Sequence, residues 1–320
     1  PQEAGAVTIT RNRLGLAFAV IATALLFSTS TGGQANVYTL YFLGGQSNMV
    51  GYGYTEELPE DLRQEIDRVM IFEGRAAFDD DRRGGIGVWR TLTPGHGFGV
   101  ETDGHSVRLS DRFGPELSFG HTLAAQLPDS RIALVKYALG GSGLAPGVGL
   151  GGWHPTDRNG QRRNQFDHAM KTLRNALADR DIDGDGVRDV LIPAGIIWMH
   201  GESDADKSIE TAEAYEENLA VLVKALRAAL NDENLPVAIG KITDSGMADD
   251  GAVMRYTARV QVAQESYAAS DACASLVDVT ESLGYRDDRH YDTDGFLRLG
   301  QAFAEAVLKL ENTCLSDPAT

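Results

Sequence analysis

Ten consecutive residues, Val190–Met199 (VLIPAGIIWM), carry no charge. A short, almost wholly apolar run of this kind marks a strand buried on both faces. Such a strand needs cover above and below, and the flanking sequence supplies it. β-rich runs at Val37–Leu43, Val69–Phe72, Ile132–Ala138, Val237–Ile242 and Ser275–Val279 alternate with helical patterns. The helices are expected at Pro115–Leu127, Gln165–Ala178, Ala212–Leu230, Val253–Ala269 and Gly295–Leu310. This alternation predicts βαβ units and one α/β domain over residues 36–320, with a mostly parallel sheet covered by helices on both sides. Residues 74–113, rich in Gly, Asp and Arg, lack periodicity and read as a long surface excursion of the kind that serves binding.

Charge and cysteine content narrow the function. A net charge of −17 repels phosphate backbones and anionic lipid, which argues against nucleic acid and membrane surfaces as partners. Two cysteines, Cys273 and Cys314, are too few for a disulfide-dense scaffold or a Cys-rich metal site. The longest apolar run, Leu14–Phe27, is shorter than the roughly 20 residues of a membrane span. It follows Arg11 and Arg13 and leads into small residues ending at Ala35, the layout of a secretory signal peptide over residues 1–35. A buried helix or an anchor is the alternative. Export predicts a secreted or periplasmic protein, in which the two cysteines can pair or stay as thiols.

Open parallel sheets bind ligands at the carboxyl ends of their strands, so the residues just after each strand matter most. After the first comes Gly44-Gly45-Gln46-Ser47-Asn48-Met49; a serine at such a turn is either an exposed nucleophile or a helix cap. After Ile132–Ala138 comes Gly140-Gly141-Ser142, where backbone N–H groups can approach a reacting oxygen. After Val190–Met199 comes His200-Gly201-Glu202-Ser203-Asp204, a polar cluster suited to a site floor. Near the end lies Asp287-Asp288-Arg289-His290. The spacing lets Asp287 orient His290 while the other ring nitrogen faces Ser47, the base and orienter of a Ser-His-Asp device.

These four blocks, together with Phe113-Gly114-Pro115-Glu116-Leu117, stand in the order seen in SGNH-type carbohydrate esterases, and the chain resembles their sialate O-acetylesterase / acetylxylan esterase branch. The resemblance spans Val37 to about Leu310. It implies a three-layer, flavodoxin-like α/β/α sandwich and a serine esterase that needs no cofactor for catalysis. It assigns Ser47 as nucleophile, His290 as general base and Asp287 as its orienting acid. The backbone N–H groups of Ser47 and Gly141 match two oxyanion-hole donors. The third donor in that family is a Gln or Asn side chain, and here the position is His200. A neutral imidazole has one N–H to give, so His200 is expected to serve as that donor in one tautomer. Losing such a donor costs about 10²–10³ in rate.

Asp181, Asp183, Asp185 and Asp189 form D-x-D-x-D-G-x-x-D, alternate carboxylates with a turn glycine. That pattern suits the oxygen-rich shell of a structural calcium ion, and a solvated Asp/Gly turn is the alternative. The expected substrate is an acetylated oligo- or polysaccharide. The net negative charge favours a neutral sugar over a sialate, unless Arg82, Arg83, Arg90 and Arg112 make an anion pocket. Trp89 and Trp153 are candidates to stack on a sugar ring. The rival reading is a non-catalytic carbohydrate-binding protein on the same fold.

Overall fold

The computed structural model describes residues 34–156 and 160–314. The expected signal peptide lies almost wholly outside the described residues. The described chain is built from β1 (Val37–Gly45), α1 (Ser47–Val50), β2 (Gly53–Tyr54), β3 (Val69–Glu73), β4 (Trp89–Thr91), β5 (Glu101–Thr102), β6 (Val107–Arg108) and β7 (Arg112–Phe113). There follow α2 (Pro115–Gln126), β8 (Arg131–Ala138), α3 (Gln165–Ala178), β9 (Val190–Met199), α4 (Glu202–Lys207), α5 (Ile209–Glu213), α6 (Tyr215–Leu230), β10 (Val237–Gly240), α7 (Thr257–Ser270), β11 (Ala274–Val277) and α8 (Thr293–Cys314).

Seven strands make the central sheet in the order β11-β10-β9-β1-β8-β3-β4. All neighbours are parallel except β3 and β4. Helices cover the sheet to complete the three-layer sandwich, with α2 packed on α8 and α3 packed on β8 and β3. The antiparallel edge strand β4 and the small hairpin β5–β6 both arise from the long excursion. Its lack of periodicity reflects strands too short to show one. The helix expected over Ala212–Leu230 is divided at Ala214, because Ser208 caps α5 through Thr211 before α6 begins.

β1 is the central strand, and from Leu40 to Gly45 it is fully buried. Burial on both faces is only half true of β9. Gly195–Met199 is buried, whereas Val190–Ala194 is partly or largely exposed. The pairing of β1 with β9 also slips between Leu40 and Tyr41, opposite Pro193 and Gly195. Pro193 has no N–H to give to the ladder, a local reason for that irregularity. At its other end, β1 approaches β9 so closely that a Cβ on Gly45 would collide with the Met199 carbonyl, and its φ of +153° also suits glycine. This close approach sets where the chain turns into α1. A Cys273–Cys314 disulfide ties the start of β11 to the end of α8, with Cα atoms 5.6 Å apart. Among the described residues no helix is long and apolar enough to cross a membrane.

Candidate active site

Ser47 is the first residue of α1, at the carboxyl end of the central strand, and it is largely buried. It lines a cavity of about 500 Å³ together with Gly140, Gly141, Glu202, Arg289 and His290. The structure thus brings Ser47, Gly141 and His290 to one pocket from three separate segments. His290 Nδ1 lies 2.8 Å from Asp287 Oδ2, while Asp287 Oδ1 accepts the backbone N–H groups of Arg289 (2.9 Å) and His290 (2.7 Å). Burial raises the Asp287 pKa, but the bonds from His290 and these two amides outweigh it and hold the carboxyl below its usual range.

The turn carrying His290 is fastened to the helix that carries Ser47 by Asn48, a residue to which the sequence reading gave no role. Asn48 Nδ2 donates to Glu202 Oε1 (2.8 Å) and to the Arg289 carbonyl (3.1 Å), and Asn48 Oδ1 accepts from Tyr291 N (3.4 Å). One side chain therefore joins α1, α4 and the His290 turn. Its position directly after the serine was the available signal. Glu202 is buried at the pocket wall and its Oε2 has no hydrogen-bond partner. Burial pushes its pKa up, against the opposing bond from Asn48. Beneath α1, Lys136 Nζ donates to the Val50 carbonyl and to Glu116 Oε2, both at 2.9 Å, which holds the last turn of α1 over the sheet.

His200 does not reach this pocket. Its ring is fully buried and absent from the lining, stacked on Trp198 (centroids 5.1 Å, 24°) and on Tyr215 (6.1 Å, 22°). Burial drives its pKa down to about 3, so the ring is neutral across ordinary pH. The ring expected to donate to an oxyanion therefore sits in the core, outside the cavity lining, with its Nε2 unpartnered. The physical reason lies at Gly201, whose φ of +136° turns the chain so that Glu202 and Ser203, rather than His200, face the cavity. Asp204 is equally buried. It accepts from Leu144 N (2.8 Å) and Ala145 N (2.7 Å) and so anchors the glycine-rich loop that carries Gly141. Burial raises its pKa to about 7, against those two bonds.

The other substrate expectations also change. Trp89 and Trp153 are core residues: Trp89 Nε1 bonds the Asp179 carbonyl (3.0 Å) and Trp153 Nε1 bonds Ser142 Oγ (2.9 Å). The aromatic side chains exposed at the pocket are Phe78 and Phe98, 63% and 54% exposed. Arg82, Arg83, Arg90 and Arg112 do not line it; Arg83 pairs with Asp81, and Arg112 lies over the Tyr54 ring. The pocket's arginines are Arg75 and Arg289. Arg75 donates to the Thr102 carbonyl (2.9 Å), and Arg289 pairs with Asp206 (3.2 Å).

For a metal, Asp181, Asp183 and Asp185 can each offer an oxygen within 4.8 Å of the others. Three hard carboxylate oxygens fit calcium in kind. Asp189 is not in that group: it is buried and accepts from Asn36 N (2.9 Å) and Ile182 N (3.0 Å). The group lies by the amino end of β1, where Asp183 accepts from Asn36 Nδ2 and the Tyr38 hydroxyl, at the strand end opposite to Ser47.

Comparison with known proteins follows the same lines. The sequence profile described as carbohydrate esterase, sialic acid-specific acetylesterase, matches residues 37–309. No curated protein sequence matches the chain. Among solved structures, a protein from Arabidopsis thaliana is similar over 85% of this chain and 98% of its own, with a TM-score of 0.59 and 22% identity. A carbohydrate acetylesterase from Xanthomonas citri is similar over 88% of this chain and 57% of its own (TM-score 0.58, 15% identity), so this chain spans little more than half of that protein. NanS is similar over 87% and 98% (TM-score 0.56, 15% identity). At these identities the likeness speaks for the shared fold.

Proposed function

This chain belongs to the carbohydrate esterase family of sialic acid-specific acetylesterases and is a carboxylic ester hydrolase, and from that premise we propose that it removes O-acetyl groups from carbohydrates through an acetyl-enzyme on Ser47. The observation that carries this reading is the convergence of Ser47, Gly141 and His290, itself bonded to Asp287, on one cavity. His290 takes the Ser47 proton as Ser47 Oγ attacks the ester carbonyl. Asp287 holds the imidazole in the tautomer that can accept it and favours the imidazolium that forms. The backbone N–H groups of Ser47 and Gly141 donate to the tetrahedral oxyanion. The sugar oxygen leaves with the proton from His290. Water, deprotonated by His290, then attacks the acetyl-enzyme and releases acetate.

Export is part of the proposal, residues 1–35 acting as the signal peptide and residues 36–320 as the esterase. The basic flank at Arg11 and Arg13 supports it, as does the Cys273–Cys314 disulfide, a bond at home in oxidising compartments. Asp181, Asp183 and Asp185 are proposed to hold a structural calcium ion that takes no part in the reaction.

The test is acetate release from p-nitrophenyl acetate and from acetylated sialic acid and xylan, beside Ser47→Ala. Turnover is expected in the protein and a drop on the order of 10⁴–10⁶ in the variant. Absence of turnover on every substrate and at every pH, or an active Ser47→Ala protein, overturns the mechanism.

A further inference from the structure

Serine, histidine and aspartate leave one question open: what fixes the plane of the base. His290 sits on an exposed turn, and its side-chain tie is a single hydrogen bond to Asp287, whose carboxylate is 45% exposed. A single bond sets the direction of one ring nitrogen and leaves rotation about that axis. Tyr52 removes that freedom. Its ring lies 3.9 Å from the imidazole, centroid to centroid, at 13° from parallel. Phe98 backs Tyr52 on the other side at 4.8 Å and 18°. All three rings line the pocket.

We propose that Tyr52 is the positioning residue for His290, acting through the flat face of its ring and not through its hydroxyl. Two further observations support it. First, Tyr52 follows α1 by two residues, so the platform for the base is fixed to the segment that carries the nucleophile. Gly51 makes that short path possible: its φ is +95°, and a Cβ there would collide with Gly114. Second, burial raises the Tyr52 pKa and Asp287 raises it further, so the ring facing the imidazole is a neutral phenol. The charged groups around His290 are Asp287 and, lining the same pocket, Glu73, Arg75, Glu101, Glu202 and Arg289. When His290 takes the serine proton, the imidazolium meets the negative face of an aromatic ring, a favourable contact that strengthens in the transition state.

The kinetic arm of the test rests on the esterase reading; the spectroscopic arm does not. Tyr52→Leu and Tyr52→Phe are made in the whole chain, with Tyr52→Met as a second non-aromatic variant of similar length should the leucine protein fail to fold. For Tyr52→Leu, kcat is expected to fall roughly 10- to 100-fold, as for a base held slightly out of place, with KM changed less than about threefold. Tyr52→Phe keeps kcat within about threefold. In NMR spectra, the ring-current displacement of the His290 ring protons is expected to survive in Tyr52→Phe and vanish in Tyr52→Leu. An unchanged kcat in Tyr52→Leu, or a Tyr52→Phe protein as slow as Tyr52→Leu, overturns the proposal. If the parent protein hydrolyses no ester, the esterase reading falls, and the NMR comparison alone decides: His290 ring protons unmoved in Tyr52→Leu overturn the stack.

Discussion

The two ends of β1 both carry clusters of polar side chains, and they treat them in opposite ways. At the carboxyl end, Gln46, Ser47, Asn48, His200, Glu202 and Asp204 are all buried. At the amino end, Asp183 and Asp185 are exposed and Asp181 is half-buried. Burying a polar group is unfavourable unless it is bonded, and burying a charge more so. The carboxyl end meets that demand with a fixed network: Asn48 to Glu202, Asp204 to the 144–145 backbone, and Gln46 Oε1 to the Gly201 and Ser203 amides. The cost is visible in the raised pKa of Glu202 and Asp204 and the lowered pKa of His200. Around the candidate site polar groups are held out of water; at the amino end Asp189 is buried and bonded in the same way, but Asp183 and Asp185 are left in water. Of the six at the carboxyl end, Gln46, Ser47 and Glu202 line the cavity, and Asn48, His200 and Asp204 lie behind them.

The largest effect that would test this division comes from Asp287, the proposed orienter of His290, which sits in the open. Asp287→Asn keeps an acceptor for the Arg289 and His290 amides but turns an N–H toward His290 Nδ1, where an acceptor is needed. A loss in kcat of about 10²–10⁴ is expected, with a melting temperature close to that of the parent protein. A smaller loss than tenfold would mean that Glu202, buried at the same pocket, orients the base instead.

The next test is His200. In an oxyanion hole, its loss would cost about 10²–10³ in rate. As a core residue it can become leucine with kcat reduced less than about tenfold, because the Tyr215 hydroxyl keeps its bond to the residue-200 carbonyl (2.8 Å). The pH dependence of stability is the sharper readout. The folded pKa of His200, about 3, lies below its ordinary 6.5. Its contribution is therefore fully present above pH 6.5 and is lost as pH falls towards 3. Asp204, raised from 3.8 to about 7, works the other way: its contribution is present below pH 3.8 and lost as pH rises through 7. The two oppose each other in the parent protein. Removing the imidazole leaves Asp204 alone, so His200→Leu should gain stability relative to the parent as pH falls from 6.5 to 3, measured by urea melts. A parallel decline in both proteins would return His200 to a solvent-linked role.

Much of this was legible in the sequence, for reasons that separate along the same line. Alternating runs located the sheet because parallel strands are long enough to show a pattern; the edge strand Trp89–Thr91, three residues in length, was not. Ser47 could be located because a glycine pair before a short helix constrains the backbone locally. Asp287 and His290 could be paired because three residues of a turn suffice to bring them together. The direction of a side chain at a strand end is different. His200 and Glu202 stand two residues apart, and which of them faces the cavity depends on the turn at Gly201. Exposure of Trp89 and the arginines in the excursion, and of Trp153, likewise depends on packing against α3 and other distant elements. Trp89 bonds carbonyls 87 and 90 residues away, a relation that no local pattern encodes.

The smallest expected effect lies at the amino end of β1, and it decides whether that end is a site at all. If the exposed aspartates hold calcium with an affinity in the millimolar range of extracellular modules, tenfold excess ion stabilises the fold by about 1.4 kcal/mol. For a domain of this size that is a rise in melting temperature of roughly 2–5 °C. Asp183→Asn should abolish the rise, and chelation should leave acetate release unchanged, since no step of the proposed reaction passes through this loop. A melting temperature indifferent to calcium would assign these carboxylates wholly to the bonds they already make, Asp181 with Gly186 N, Asp183 with Asn36 and Tyr38, and Asp185 with Val187 N. The amino end would then be a solvated turn that needs no ion, because water already screens the repulsion that a buried cluster could not survive.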